Sequence, residues 1–507
     1  MKNSRIKNTK RNIIYSVSDS IITLLFEFIS RTVIVYYFGS EFLGLSSLFT
    51  SVLQVLNMAE LGFSISITYN MYKPIADNDI VTVCSLLNYY KKIYKRIALF
   101  VFVSGVVVLP FLPFFIKDEI PSGINIYILY FIYLINTTSS YLFFSYKTAL
   151  LVALQRVDIT KKSYIISNII QYLLQLISLI VLKNYYLFVS FIVLGTISKN
   201  CFSAYFSKKF FPEYVCDGEI KDKIKSDLWG RVKGALICNI SSVTYTTFDS
   251  IIISSNIGLI SVTKYNNYLV IYNGLMLFIN LVRLAMQPSV GNSVATESSE
   301  KNFRDMLVFQ FAFSFIATWC VTCMVGLFQP FMIIWMGEKL LLPLRDVLLI
   351  CLLFYVSVVQ NSFFLYLSGN GYWWEMRWPY IFSSVVNLGL NIVLGKLFGV
   401  TGVIFSTVLV SVVFCQIWQC HIVFEKYIKK QMWTYQLKQV GYFFVCLISC
   451  FIAMVINKYC AVNGIIGLII KLLICTFVSI SVQLIIYLKN KEFKDFLNLI
   501  RITIKER

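Results

Sequence analysis

Charge is what this sequence has least of. Only 14% of its 507 residues are Asp, Glu, Lys or Arg and 58% are hydrophobic, where soluble proteins carry about 25% charged residues. That balance excludes the two or three soluble domains that the length would otherwise suggest. Histidine is nearly absent as well: the single one, His421, stands beside Cys420 with no ligand set around it. The sequence holds no Walker motif, no serine-hydrolase elbow and no Asp-x-Asp-like cluster, so no ATP site is indicated. Gly369-Asn370-Gly371 reads as a turn and not as a dinucleotide fingerprint. The thirteen cysteines fall mostly in apolar stretches. Cys320 and Cys323 form a C-x-x-C without a second pair or a nearby histidine, which makes them small packing residues. No cofactor and no metal are expected.

What is abundant is long apolar sequence. Fourteen stretches stand out, at 12–38, 42–70, 93–116, 124–153, 163–182, 185–206, 234–256, 265–287, 305–328, 346–368, 378–397, 399–422, 435–457 and 463–488. Each is long enough to cross about 30 Å of hydrocarbon. The close-set hairpins 163–206 and 378–422 also accommodate a count of twelve or thirteen. The first stretch is too long for a secretory signal and carries Asp19, Glu27 and Arg31, so it reads as an uncleaved span. The fold class that follows is an all-α polytopic membrane protein with about fourteen transmembrane helices.

Charge placement sets the orientation. With the N-terminus inside, 33 of the 45 Lys/Arg fall in inside connections and seven in outside ones. Such a bias follows the positive-inside rule and predicts both termini in the cytoplasm. It also accounts for the net charge of +20, since basic cytoplasmic loops face anionic lipid. Nucleic acid is not needed as a partner. The five remaining cations, Arg31, Lys147, Lys199, Arg283 and Lys471, lie within spans.

The chain echoes itself. Arg31–Gly39, leading into Phe42-Leu43, is matched about 219 residues later by Ser250–Gly258, leading into Ser261-Val262. Leu112-Pro113-Phe114-Phe115-Ile116 is matched by Gln329-Pro330-Phe331-Met332-Ile333, 217 residues on. Two parallel six-helix halves are therefore expected, with a cavity between them, as in duplicated transporters. The expected division is an N-terminal lobe over 1–206, a cytoplasmic linker over 207–233, a second lobe over 234–433, and two added helices with a cytoplasmic tail over 434–507.

Several islands carry a family resemblance. They are Phe42-Leu43-Gly44-Leu45-Ser46-Ser47-Leu48-Phe49, Ala59-Glu60-Leu61-Gly62-Phe63, and Tyr69-Asn70-Met71-Tyr72-Lys73-Pro74. Further along come Phe248-Asp249-Ser250-Ile251-Ile252-Ile253-Ser254, Pro288-Ser289-Val290-Gly291-Asn292-Ser293, Trp335-Met336-Gly337-Glu338 and Phe398-Gly399-Val400-Thr401-Gly402-Val403. Together they resemble bacterial polysaccharide-transport proteins, the O-antigen and capsule repeat-unit flippases of the multidrug/oligosaccharidyl-lipid/polysaccharide exporter superfamily. The resemblance implies two six-helix lobes around an alternating-access cavity in the bacterial cytoplasmic (inner) membrane. It implies an undecaprenyl-pyrophosphate-linked oligosaccharide as substrate and a polysaccharide polymerase as a partner. It implies no enzymatic step. Trp373, Trp374 and Trp378 depart from the family pattern, which has more basic or tyrosine residues there.

A lipid-linked sugar needs a polar path, because each unsatisfied polar group in hydrocarbon costs several kcal/mol. Charges within spans are therefore the candidates. Glu27 and Arg31, four residues apart, share a helix face, and the repeat offset sets Asp249 opposite Ser30. In one reading Arg31 holds pyrophosphate or acidic sugar, while Glu27, Glu60 or Asp249 neutralises it or carries a coupling proton. In the other these groups form a structural ion pair at the outer gate. Lys147, Arg283, Tyr141 and Tyr146 are further candidates for substrate contact, the tyrosines by stacking on sugar faces. Lys199 lies near a cytoplasmic end and is expected to snorkel. The segment from Asp77 to Tyr94 reads as an interfacial elbow helix. Two other function classes share this location: a membrane-embedded polymerase or ligase, and a drug exporter. The longest outside connection, about seventeen residues over 329–345, is short for the former.

Overall fold

The computed structural model describes residues 2–505 apart from 61, 62, 119, 461 and 463. Leu61 and Gly62 of the family-like block thus lie outside the described residues. Every regular element among the described residues is helical, and the chain forms two compact units, Met1–Thr263 and Lys264–Arg507. Among the described residues eleven helices are long and apolar enough to cross a membrane, or twelve if one bent pair counts as a single span. Each of the fourteen stretches expected to span is mostly helical among the described residues, and the molecule is a multi-pass membrane protein.

The first unit opens with α1 (Lys2–Tyr37), α2 (Ser40–Leu56), α3 (Phe63–Ala76) and α4 (Ile80–Val108). There follow α5 (Ile126–Leu142), α6 (Ser145–Ala153), α7 (Val157–Ile180), α8 (Tyr185–Phe210), α9 (Asp222–Asn256) and the start of α10 (Leu259–Thr296). Helix α1 packs on α7, α7 on α8, α5 on α4 and α8, and α2 on α9. Gly44 also lets α2 approach the start of α10, since a Cβ there would lie 2.4 Å from the Leu259 carbonyl oxygen. The core is aromatic: Phe49 meets Tyr130 edge-on at 5.4 Å, and the Tyr133 hydroxyl bonds Ser46 Oγ at 2.5 Å. The segment after α4 ties down the α9–α10 corner. Lys117 Nζ donates to the Asn256 carbonyl at 2.6 Å, and Leu259 N–H donates to Asp118 Oδ2 at 2.8 Å. Each charge thus meets the helix end whose dipole it complements.

Three expectations change here. The stretch 42–70 is not one span: α2 ends at Leu56, a short 3₁₀ turn covers Asn57–Glu60, and α3 begins at Phe63. The stretch 124–153 is bent by 47° between α5 and α6, where Phe144 takes a left-handed φ of 55°. The elbow helix does not exist as such. Asp79 caps α4 by accepting from Thr82 N–H at 3.0 Å, and the helix then runs unbroken into the membrane. Val83, Leu87 and Tyr94 are buried in the unit's core, so their helical spacing marks a protein-facing stripe and not a lipid-facing one.

The second unit continues from α10 with α11 (Ser299–Met336), α12 (Leu344–Val359), α13 (Asn361–Asn370), α14 (Arg377–Phe398) and α15 (Val400–Ile428). It ends with α16 (Met432–Lys458), α17 (Gly464–Tyr487) and α18 (Lys491–Lys505). Helix α15 carries π-helical turns at Ser411–Trp418 and Phe424–Ile428. Helix α11 is central and packs on α12, α16, α17 and α18. Buried amides pin it: Gln310 Nε2 donates to the Tyr435 carbonyl at 3.0 Å, and Gln439 Nε2 donates to Ser314 Oγ at 3.2 Å. The tail helix α18 lays Phe493 and Phe496 against Phe311, both at 5.9 Å, and Glu492 pairs with Lys438. Cys320 and Cys323 are free thiols, and Cys323 Sγ lies 3.8 Å from Thr476 Oγ1.

Candidate functional site

Within the first unit, helices α3 to α8 enclose a cavity of about 760 Å³. Its walls follow from helix periodicity. Thr196, Lys199 and Asn200 of α8 all face it, being three or four residues apart on one side of a helix. Tyr90 and Tyr94 of α4 repeat the spacing, and Tyr69 and Tyr72 come from α3. The bend between α5 and α6 opens the remaining wall, which Ser140, Tyr141, Ser145 and Thr148 line together with Tyr164 of α7. Six tyrosines, one lysine and one carboxylate, Glu60, thus meet in a space walled by apolar helices.

The acid is held by its neighbours. Glu60 sits in the 3₁₀ turn between α2 and α3 and accepts from the Tyr94 hydroxyl, which in turn accepts from that of Tyr90. The Tyr90 and Tyr94 rings meet edge-on at 4.2 Å, and the Tyr141 ring lies 5.6 Å from that of Tyr94. On the amide side, Asn200 Nδ2 donates to the Ser140 carbonyl at 3.2 Å and Thr196 Oγ1 donates to Asn136 Oδ1 at 2.7 Å. A helix break at an acidic residue, lining a cavity, is the arrangement in which irregular backbone is tolerated at membrane depth.

A smaller cavity, about 260 Å³, lies among α1, α2, α7 and α8. Arg31 Nε contacts Glu27 Oε1 at 3.2 Å there, the pairing that their spacing allows. Ser30, Gln171 and Gln175 share the lining, and Ser30 Oγ and Gln171 Oε1 are buried without a hydrogen-bond partner. Beside it, Asp19 of α1 accepts from Lys161 Nζ at 2.8 Å and from Asn168 Nδ2 at 3.1 Å. Nearer the N-terminus, Asp158 takes Arg11 at 2.8 Å and Arg156 at 3.0 Å. Both acids tie α1 to α7.

The other sequence candidates scatter. Lys147 Nζ donates to the Tyr214 carbonyl at 2.7 Å, which fastens the segment between α8 and α9 to α6. Tyr146 is buried in the core with Lys91 Nζ 6.0 Å from its ring centre. Asp249 is buried on α9 and lines neither cavity. Arg283 belongs to the second unit, its guanidinium 5.1 Å from the Phe364 ring centre. Sequence reasoning missed Lys199 as a lining residue, along with Tyr69, Tyr72, Tyr90, Tyr94 and Tyr164. The four-residue spacings on α4 and α8 were the available signal. Among the described residues no three His, Cys, Asp or Glu side chains converge to hold a metal.

No family profile and no curated protein matches this sequence. Solved structures do match. A multidrug resistance MATE family transporter of the MOP superfamily, in its inward-facing conformation, aligns with a TM-score of 0.64 at 15% identity, covering 81% of this chain and 98% of that one. The lipid II flippase MurJ, in an inward closed conformation, aligns at 0.63 and 14% identity, covering 94% and 99%. A MOP superfamily transporter from Pyrococcus furiosus aligns at 0.51 and 13% identity, covering 82% and 96%. At such identities the likeness establishes the fold: this chain has that of MOP-superfamily membrane transporters.

Proposed function

We propose that this protein is a flippase that moves an undecaprenyl-pyrophosphate-linked oligosaccharide from the cytoplasmic to the outer leaflet of a bacterial cytoplasmic membrane. It would act by alternating access and feed a polymerase that builds O-antigen, capsule or another polysaccharide. The observation that carries the reading is the tyrosine-lined cavity of about 760 Å³, which falls within the roughly 300–1,000 Å³ of small-molecule sites. Tyrosine presents an apolar face and a hydroxyl together, which matches a sugar ring with its C–H face and its rim of hydroxyls. Lys199 supplies a cation for pyrophosphate or acidic sugar. The Glu60–Tyr94–Tyr90 chain supplies acceptors and donors that replace water. In the smaller cavity, Arg31 is a second anion contact, held by Glu27 until an anion arrives. The prenyl tail stays in lipid.

The membrane potential is a sufficient drive on this reading. Two phosphate charges moving outward gain about 5 kcal/mol at 100 mV, at roughly 2.3 kcal/mol per charge. Antiport through Glu27, Glu60 or Asp249 is the competing coupling. Transfer that persists with a potential but without an ion gradient would rule out obligatory antiport.

A drug-exporter reading draws on the same cavity, since tyrosines beside Glu60 suit an organic cation. Lys199 in the same wall opposes it. The deciding experiment is transfer of a lipid-linked oligosaccharide across vesicles reconstituted with this protein, scored by a sugar-cleaving probe added outside. Protein-dependent transfer that falls at least ~10-fold in Lys199→Met, equivalent to about 1.4 kcal/mol, and falls also in Arg31→Ala supports the flippase. Chain extension without transfer points to a polymerase, and export of an organic cation without sugar transfer to the drug exporter.

A further inference from the structure

Where α14 begins, the second unit places an arginine in an unusual setting. Arg377 is the first residue of the helix, the positive end of its dipole, and no acidic residue occupies that first turn. A cation there is electrostatically unfavourable. Its nearest acid in sequence, Glu375, is already engaged by Lys426 Nζ at 3.1 Å. Among the described residues no carboxylate forms a salt bridge with Arg377. The guanidinium is instead held by rings. Its carbon lies 4.2 Å from the Trp374 ring centre and 5.6 Å from that of Trp378, and Nη1 donates to the Trp374 carbonyl at 2.6 Å. Both indoles are about half exposed, at 60% and 49%.

From Trp378 a row of rings descends along the hairpin. Trp378 lies 6.1 Å from Phe382, Phe382 lies 5.6 Å from Trp418 on α15, and Trp418 lies 5.9 Å from Phe414. Each helix contributes a pair four residues apart, and the two antiparallel helices place both steps in the same direction. At 1.5 Å per residue, two four-residue steps reach about 12 Å deep, close to the ~15 Å of one leaflet's hydrocarbon. The charge bias puts the α13–α14 connection on the cytoplasmic side.

We propose that this hairpin surface is a binding site for an anionic phospholipid of the inner leaflet. The lipid's phosphate sits on Arg377 between Trp374 and Trp378, and one acyl chain lies along Phe382, Trp418 and Phe414. Charge complementarity selects the occupant: the site offers a forked donor in no salt bridge among the described residues, its neighbour Glu375 being paired with Lys426, at a helix N-terminus, at headgroup depth, above an apolar track one chain long. Arginine is the side chain suited to a phosphate in this way. The assignment is independent of what the protein transports.

The test uses the full chain in nanodiscs and reads quenching of tryptophan fluorescence by brominated lipid. Brominated phosphatidylglycerol should quench the wild type more than brominated phosphatidylcholine, and W374F/W378F should lose most of that difference. Arg377→Gln should reduce the preference about fivefold, as one basic side chain near an anionic surface contributes. Lys430→Gln removes a charge from the same side, where Lys430 contacts Glu300 at 3.6 Å, and should leave the preference intact. An unchanged preference in Arg377→Gln overturns the site, and equal loss in both variants reduces it to diffuse charge attraction. Displacement of the brominated phospholipid by an equimolar prenyl phosphate overturns the phospholipid assignment and gives the site to a prenyl-phosphate lipid. An unchanged detergent elution profile for each variant shows that it has folded.

Discussion

Helix α7 of the first unit and helix α14 of the second bury the same kind of row. Ser163, Ser167, Gln171 and Gln175 follow one another at four-residue steps on α7, and Ser383, Asn387, Asn391 and Gly395 do so on α14, 220 residues later. The two rows end differently. On α14 the row closes on its hairpin partner α15: Asn387 Nδ2 donates to Thr407 Oγ1 at 3.2 Å, Asn391 Nδ2 donates to Asn387 Oδ1 at 3.1 Å, and Ser406 donates to Asn391. On α7 Gln171 Nε2 donates to Gln175 Oε1 at 3.3 Å and Gln175 Nε2 to the Phe188 carbonyl of α8 at 3.1 Å, yet the row stays partly open. Ser167 Oγ, Asn168 Oδ1 and Gln171 Oε1 are buried without partners, and Gln171 and Gln175 border a cavity. A closed network stiffens a unit, whereas an open one presents acceptors to whatever enters. One spacing thus serves as a strut in the second unit and as a cavity wall in the first.

The comparison can be broken at its glycines, where the largest effect is expected. A Cβ on Gly402 would lie 2.0 Å from the Leu394 carbonyl oxygen, so the α14–α15 hairpin must separate. Gly402→Ala should cost about 3 kcal/mol, at the upper end of overpacking, seen as a lowered melting temperature in detergent. Gly195→Ala meets only the end of the Gln171 side chain, at 1.8 Å, and should cost about 1 kcal/mol because that chain can swing away. Equal losses at the two positions would mean that the α7–α8 hairpin is as rigid as α14–α15.

Next in size is Asn391→Leu, which takes the donor from buried Asn387 Oδ1 and one acceptor from Ser406 and should destabilise by about 2 kcal/mol, while transport per folded molecule persists. Its counterpart on α7, Ser167→Ala, removes a buried hydroxyl that has no partner and should change stability by no more than about 0.5 kcal/mol. If the two changes cost the same, the distinction between open and closed rows fails. The smallest effect is expected at Tyr141→Phe, which keeps the ring and removes the hydroxyl. Thermal stability should be unchanged and apparent substrate affinity should weaken about 5-fold, the share of one hydrogen bond, measured as a shift in the concentration dependence of lipid-linked sugar transfer.

The positions of the spans were legible because hydrocarbon demands long apolar runs wherever a helix crosses, whatever it packs against. The Glu27–Arg31 pair was legible for a similar reason, as a four-residue spacing fixes a shared helix face. The break at Glu60 was not, because Asn57–Glu60 interrupts an apolar run without proline, and only the 3₁₀ turn in the folded chain shows that α2 stops at Leu56. The elbow reading of Asp77 to Tyr94 failed on an ambiguity of periodicity. A 3.6-residue stripe looks the same whether it meets lipid or protein, and burial of Val83 and Leu87 decided between them.

The sequence by itself determined that this is a helical membrane protein, roughly where its helices run, and that Glu27 and Arg31 share one face of α1, since these depend on composition and local spacing. The tyrosine-lined cavity depended on tertiary structure alone. Tyr69, Tyr94, Tyr141, Tyr164 and Lys199 come from five helices and converge only when those helices pack. Lys147 and Tyr146, adjacent to that wall in sequence, were turned away by the same packing, one toward the Tyr214 carbonyl and one into the core. A helix sets which residues share its face, but only its neighbours decide whether that face meets protein, lipid or an open space.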